Sequence, residues 1–244
     1  MTPVIDGNSA LFLDIDGTLL DLAPTPETVV VPASLKASLA HLHAALGGAL
    51  AFISGRSLAG IDRLFAPLVT AAAGSHGVEI RGADGRMTAL APRIPEDVCA
   101  FFQSLADDHP GVMLEDKGYA LSLHYRAAPG ARPALEAALE KERAALAAAN
   151  VELLPGKAVI DARPMGIDKG VGLRTLLGQP PFAGRRVLFG GDDITDMDVF
   201  RILPELGGHG FSVGRRFAGA EYIFPTPAAV RDWLSRLARE GVAA

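Results

Sequence analysis

Ala10-Leu11-Phe12-Leu13-Asp14-Ile15-Asp16-Gly17-Thr18 joins a short apolar run to a pair of carboxylates. The run reads as a buried strand, since strands covered on both faces are near-continuously hydrophobic. Along a strand, residues i and i+2 share a face but not one point, and a bend at Gly17 lets Asp14 and Asp16 approach one ligand. Like charges at the mouth of a buried strand repel unless a cation lies between them. With a divalent cation present, one carboxylate can attack phosphorus while the other handles a proton. The same residues also suit a solvated Asp- and Gly-rich turn, so the rest of the chain has to decide.

Beyond this stretch, strand and helix alternate. Residues 34–46 place Leu35, Leu39, Leu42 and Leu46 on one helical face, and Gly47-Gly48 stops that helix. Ala49-Leu50-Ala51-Phe52-Ile53 reads as a second buried strand ending at Ser54-Gly55-Arg56-Ser57, where Ser57 caps a helix bearing Leu58, Ile61, Leu64 and Phe65. After an interruption the alternation resumes. Lys169-Gly170 opens a helix, and Arg186-Val187-Leu188-Phe189 is a strand running into Gly190-Gly191-Asp192-Asp193-Ile194-Thr195-Asp196. A closing helix from Ala228 to Glu240 shows Val230, Trp233, Leu234 and Leu237 on one side. Such alternation predicts an α/β fold, a parallel sheet flanked by helices, with ligands at the carboxyl ends of the strands.

The interruption has its own pattern of helix, two strands, helix, two strands. Strands are expected over 112–117 and 119–125, then over 151–154 and 157–162 around Pro155-Gly156, with one Ala-rich helix over 133–150 between the pairs. The expected organisation is therefore a core of residues 1–92 and 165–244, carrying an inserted α+β module over 93–164. The Ala71-Ala72-Ala73 cluster reads as helix or packing filler.

Composition narrows the function classes. The 244 residues carry a net charge of −5 with no long basic run, which argues against nucleic acid as a partner. No apolar stretch reaches the length needed to cross a bilayer, and the first residues lack a basic segment followed by an apolar one, so a cytoplasmic location is expected. The lone cysteine, Cys99, excludes an internal disulfide framework and reads as small apolar filler on a helix. The oligomeric state is not legible.

Four polar clusters fall at strand ends or helix starts: Asp14/Asp16, Ser54/Arg56, Lys169 and Asp192/Asp193/Asp196. Singly, each has a plain reading as a cap, a surface charge or an acidic loop. Together they supply an oxygen nucleophile, an acid for a leaving alkoxide, donors for phosphoryl oxygens and carboxylates for a metal, the set that phosphoryl transfer from an ester requires. Mg²⁺ suits such an all-oxygen site, with Asp14, Asp192 and the Asp16 carbonyl as protein ligands.

In this order, Asp14-x-Asp16-Gly17-Thr18, Ser54-Gly55-Arg56, Lys169 and Gly191-Asp192-Asp193 resemble the four motifs of haloacid dehalogenase-like phosphohydrolases. The resemblance implies a Rossmann-like core with an inserted cap, Asp14 as a nucleophile forming an aspartyl-phosphate, and Asp16 as general acid and then base. It gives Ser54 and Lys169 the phosphoryl oxygens, and Asp193 and Asp196 the outer shell of the metal. Further stretches resemble the trehalose-6-phosphate phosphatase family over most of the chain: Gly74-x-His76-Gly77-x-Glu79-x-Arg81, Glu115-x-Lys117-Gly118, His124-Tyr125-Arg126, Gly156-Lys157 and Arg163-Pro164-x-Gly166. That resemblance implies a sugar phosphate as the small-molecule partner, contacted by Gly55, Arg56, His76, Gly77, Glu79, Glu115, Lys117 and Arg126. Glu115 and Lys117 alternate along one strand and so share a face. Closure of the cap is expected to exclude water and select the sugar. Phosphatases of mannosylglycerate or sucrose phosphates, a phosphomutase and a silent sugar-phosphate sensor remain as alternatives. The chain departs from the family's usual pattern at Met197, where a glutamate is common, and Asp198 follows it.

Overall fold

The computed structural model describes residues 2–23 and 28–242. The chain divides into two compact units, Met1–Thr88 with Asp168–Ala244, and Ala89–Ile167. The sequence reading put these junctions at 92 and 165, a few residues away. Each unit has its own hydrophobic core.

The first unit begins with β1 (Ser9–Leu13), α1 (Ala33–Ala45), β2 (Leu50–Ile53), α2 (Leu58–Phe65), β3 (Ala71–Gly74), β4 (Glu79–Arg81) and, at the junction, β5 (Met87–Ala89). The second unit supplies α3 (Glu96–Asp107), β6 (Met113–Asp116), β7 (Leu121–His124), α4 (Arg132–Lys141), α5 (Arg143–Ala148), β8 (Val151–Pro155) and β9 (Val159–Pro164). The chain then returns to the first unit with α6 (Lys169–Leu177), β10 (Arg186–Gly191), α7 (Met197–Phe200), β11 (His209–Val213), β12 (Tyr222–Phe224) and α8 (Pro227–Glu240).

The larger sheet has the order β12-β11-β10-β1-β2-β3-β4-β5. Its pairs from β12 through β3 are parallel, and β4 adds antiparallel to β3. β1, β2 and β3 are buried along their whole length, as a strand with helices on both faces requires. Ala71–Ala73 is thus strand rather than helix filler. Its small side chains let α6 come close, to the point that a Cβ on Gly172 would lie 2.8 Å from that of Ala73. Strand order runs outward from β1 to one side as β2 and β3, and to the other as β10, β11 and β12. This reversal places the switch point, where α/β sheets bind ligands, between β1 and β10. Behind β11 and β12, Trp233 of α8 packs on Phe211 and Phe224 with ring centroids 5.4 Å away in each case.

The smaller sheet, β6-β7-β9-β8, is antiparallel throughout. Leu121, Leu123, Ile160 and Ala162 turn to its buried face and join Phe102, Leu105, Leu135 and Leu139 from the helices. The single helix expected over 133–150 is two, because Glu142 (φ −94°, ψ 6°) breaks it between α4 and α5.

Candidate active site

Asp14 is the first residue past β1, and its N–H donates to the Gly190 carbonyl on neighbouring β10, 2.9 Å away. The parallel register sets Leu13 beside Gly190, which brings the Asp192 loop alongside Asp14. Gly17 (φ +85°) makes the turn between them possible, since a Cβ there would run into the Asp192 carboxylate.

At this point Lys169 enters from the start of α6, whose N-cap Asp168 accepts from the Val171 N–H. Its Nζ donates to Asp14 Oδ1 at 2.8 Å and to Asp196 Oδ1 at 2.7 Å, with only 3% of the lysine exposed. Thr18 Oγ1 donates to Asp14 Oδ2 at 2.9 Å and lies 3.3 Å from Asp192 Oδ1. Asp196 Oδ2 accepts from the Asp192 and Asp193 amides at 2.8 and 2.9 Å. The Asp193 carboxylate caps this turn in return, accepting from the Asp196 N–H. Arg215 approaches Asp193 to 3.6 Å.

The charges here are out of balance. Burial pushes the Asp14 carboxyl well above the usual carboxylate range, against the pull of Lys169, and the Asp196 and Asp192 carboxylates push it further. Burial alone would lower Lys169, but Asp14 and Asp196 overcome that and hold its ammonium charged above its ordinary value. Ligand atoms of Asp14, Asp192 and Asp196 lie within 4.8 Å of one another. Three buried carboxylates, two of them paired with the single ammonium of Lys169, could hold a hard divalent cation, which would remove their mutual repulsion. Asp196 already accepts from Lys169 and two amides, so it suits the role of orienting Asp192 better than that of a direct ligand.

Asp16 faces another cation. Arg56 holds its carboxylate in a two-point grip, Nε to Oδ2 at 2.6 Å and Nη2 to Oδ1 at 2.7 Å. Ser54, buried at the end of β2, bonds through Oγ to the Arg56 N–H at 3.2 Å. Gly55 lies under the His76 ring, where a Cβ would stand 2.7 Å from the imidazole. His76 is itself buried, and Gly77 (φ +103°) passes the Asp168 carbonyl with no room for a side chain. The Glu79 carboxylate accepts from the Ser75 hydroxyl at 2.6 Å and from the Leu58 N–H at 3.3 Å. Asp198, after the divergent Met197, accepts from Arg201 at 3.1 Å.

The remaining expected residues lie in the second unit. Glu115 and Lys117 do share a face of the smaller sheet, with the lysine Nζ 3.8 Å from the Glu115 carboxylate. That face also carries His124, whose Nε2 is 3.0 Å from Glu115 Oε2, and Ser122, which accepts from Lys117 at 2.8 Å and donates to Asp161. Ser122 and Asp161 are buried polar residues on a sheet face, and sequence reasoning missed both. The alternation Leu121-Ser122-Leu123-His124 carried the signal for Ser122. Arg126 stands apart, exposed, and donates to the Lys157 carbonyl. Thr18 is a further site residue that sequence reasoning missed, and its position four residues after Asp14 carries the signal.

Residues 12–218 match the model of the Trehalose-phosphatase family. The chain belongs to that family. Among its relatives, a probable trehalose-phosphate phosphatase of Sinorhizobium fredii is 45% identical over 95% of this chain and 88% of that one. The trehalose-6-phosphate phosphatase of Escherichia coli is 35% identical over 97% and 89%. The fold is shared with the C-terminal domain of the Candida albicans trehalose-6-phosphate phosphatase, at a TM-score of 0.83 and 24% identity over 96% of this chain and 93% of that one. Membership makes the chain a phosphoric monoester hydrolase. None of the helices among the described residues is long and apolar enough to cross a membrane.

Proposed function

We propose that the protein hydrolyses trehalose 6-phosphate to trehalose and inorganic phosphate through a phosphorylated Asp14, in a reducing cytoplasmic setting that suits a chain with one cysteine. The observation that carries this reading is the buried Asp14 at the β1–β10 switch point, held between Lys169 and Thr18 and flanked by Asp192 and Asp196. Asp14 and Asp192, with the Asp16 carbonyl, would hold Mg²⁺, which when bound screens the negative charge between a carboxylate and a phosphate dianion.

Asp14 attacks phosphorus, and the bond from phosphorus to the sugar oxygen breaks as Asp16 gives that oxygen a proton. Asp16, now a carboxylate, takes a proton from water as the water oxygen attacks the same phosphorus. The bond to Asp14 then breaks, releasing phosphate and restoring both carboxyl groups. Ser54 and Lys169 donate to the phosphoryl oxygens, and Lys169 aims Asp14 and draws it toward its anionic form against the effect of burial. Arg56 holds Asp16 as the carboxylate that serves the second step; to give a proton in the first, one Asp16 oxygen exchanges its guanidinium bond for that proton. In the second unit, the face bearing Glu115, Lys117, Ser122 and Asp161 offers charged and hydroxyl groups for recognising sugar hydroxyls.

The test is phosphate release with Mg²⁺ across trehalose, mannosylglycerate, sucrose and glucose phosphates, with Asp14→Asn as control. Preference for trehalose 6-phosphate that vanishes in the variant is the expected result. Preference for another sugar ester would overturn the substrate, and binding of trehalose 6-phosphate without release would make the protein a sensor.

A further inference from the structure

Three consecutive residues after β3 occupy the left-handed region: Ser75 at φ +48°, His76 at +58° and Gly77 at +103°. Two of them carry side chains, and such conformations persist only where the surroundings over-determine them. The surroundings here are the phosphate-motif loop. The Ser75 N–H donates to the Arg56 carbonyl at 2.8 Å, and the His76 N–H donates to the Ser54 carbonyl at 3.0 Å. The loops touch so closely that a Cβ on Gly74 would stand 2.9 Å from both the Arg56 oxygen and the Leu58 nitrogen. One side chain fastens this junction. Glu79 Oε2 takes the Ser75 hydroxyl at 2.6 Å and the first amide of α2 at 3.3 Å, where the helix dipole favours a negative charge.

We propose that Glu79, acting through Ser75, is a positioning residue that fixes the Ser54–Arg56 loop so that Arg56 meets Asp16 with both nitrogens. Both of these bonds fall on one carboxylate oxygen, Oε2, which ties the turn to the start of α2. The chain of contacts runs from Glu79 to the turn, from the turn to the Arg56 backbone, and from the Arg56 guanidinium to the group that protonates the leaving oxygen. This inference rests on the proposed function, in which Asp16 is that group.

A loop held for proton transfer should matter in proportion to how badly the leaving group needs a proton. The test compares wild type with Glu79→Ala, Glu79→Gln and Ser75→Ala on trehalose 6-phosphate and on 4-nitrophenyl phosphate, whose phenolate departs without help. Glu79→Ala is expected to lose roughly 10- to 100-fold in kcat on the sugar ester, with KM changed less than about 2-fold and the aryl ester slowed less than about 3-fold. Glu79→Gln, whose amide oxygen can accept the same two bonds, should stay within about 3-fold of wild type on both esters. Equal losses on both esters, an increase in KM alone on the sugar ester, or an unchanged kcat would each overturn the proposal. If Glu79→Ala does not fold, Ser75→Ala carries the same comparison. Wild-type turnover judges the substrate separately. If the protein prefers another sugar phosphate, trehalose 6-phosphate falls as substrate and the Glu79 ratio is read on the ester it prefers.

Discussion

Replacing Lys169 with methionine removes a charge and leaves the volume nearly intact, so the consequence is electrostatic. The lysine is 3% exposed and its ammonium lies 2.8 Å from Asp14 and 2.7 Å from Asp196. Removing one partner of a buried ion pair costs about 3–5 kcal/mol, because the remaining charge stays buried without compensation. For a protein of this size that corresponds to a melting-temperature loss of about 6–20 °C. The assay is built into the chain: Trp233, the single tryptophan, is buried in the first unit behind β11 and β12, so its fluorescence in a urea or thermal titration reports on the unit that holds the site. The sign with pH follows from Asp14. Its carboxyl is raised by burial, so its favourable contribution is complete below the ordinary carboxyl range and is lost as pH rises through the raised value. The deficit of Lys169→Met against wild type should therefore be larger at pH 8 than at pH 5 in metal-free buffer. A loss under about 1 kcal/mol at pH 8, or one that does not change with pH, would refute the charge balance argued for this site.

Other perturbations separate the parts of the site. Asp14→Asn should lose at least about 10⁴-fold in turnover, and it should also lose the melting-temperature gain that Mg²⁺ gives wild type, read by calorimetry on the idle protein. Gly17→Ala forces a side chain into φ +85° and onto the Asp192 carboxylate, so it should destabilise the first unit by more than about 1 kcal/mol and weaken Mg²⁺ binding in titration calorimetry. Normal Mg²⁺ affinity in that variant would count against Asp192 as a ligand. Lys117→Met, in the second unit, should raise KM for the sugar ester by about 10-fold while leaving 4-nitrophenyl phosphate unchanged; an equal effect on both esters would remove it from sugar recognition.

What the sequence made legible was whatever sits where a hydrophobic run stops. Asp14, Ser54 and Asp192 end buried strands, and Lys169 opens a helix behind a capping Asp168, so both identity and placement could be read from local pattern. β3 could not. Four small residues, Ala71 to Gly74, carry no strand preference of their own, and their conformation comes from lying between β2 and β4. The break at Glu142 in the Ala-rich helix has no proline or glycine to announce it. Partnerships across the chain were hidden for a different reason. Arg56 meets Asp16 forty residues away only because β1 and β2 lie side by side, and Glu79 reaches α2 only because β4 turns back on β3. Along the sequence such pairings do not exist, so neither partnership can be read there.

The order of the chain sets the order in which these charges can meet. β1 and its two aspartates are made first, yet β1's neighbour β10 and the compensating Lys169 lie beyond the whole second unit. The second unit is built from antiparallel neighbours and a core of its own, with contacts closer in sequence, and can collapse while the first is still incomplete. During synthesis, then, the nascent sheet has a free edge beside β1 and Asp14 has no ammonium, and the segment that follows the second unit both covers that edge and supplies the compensating charge. Assembly of the fold and arming of the site become one event, timed by the insertion between them.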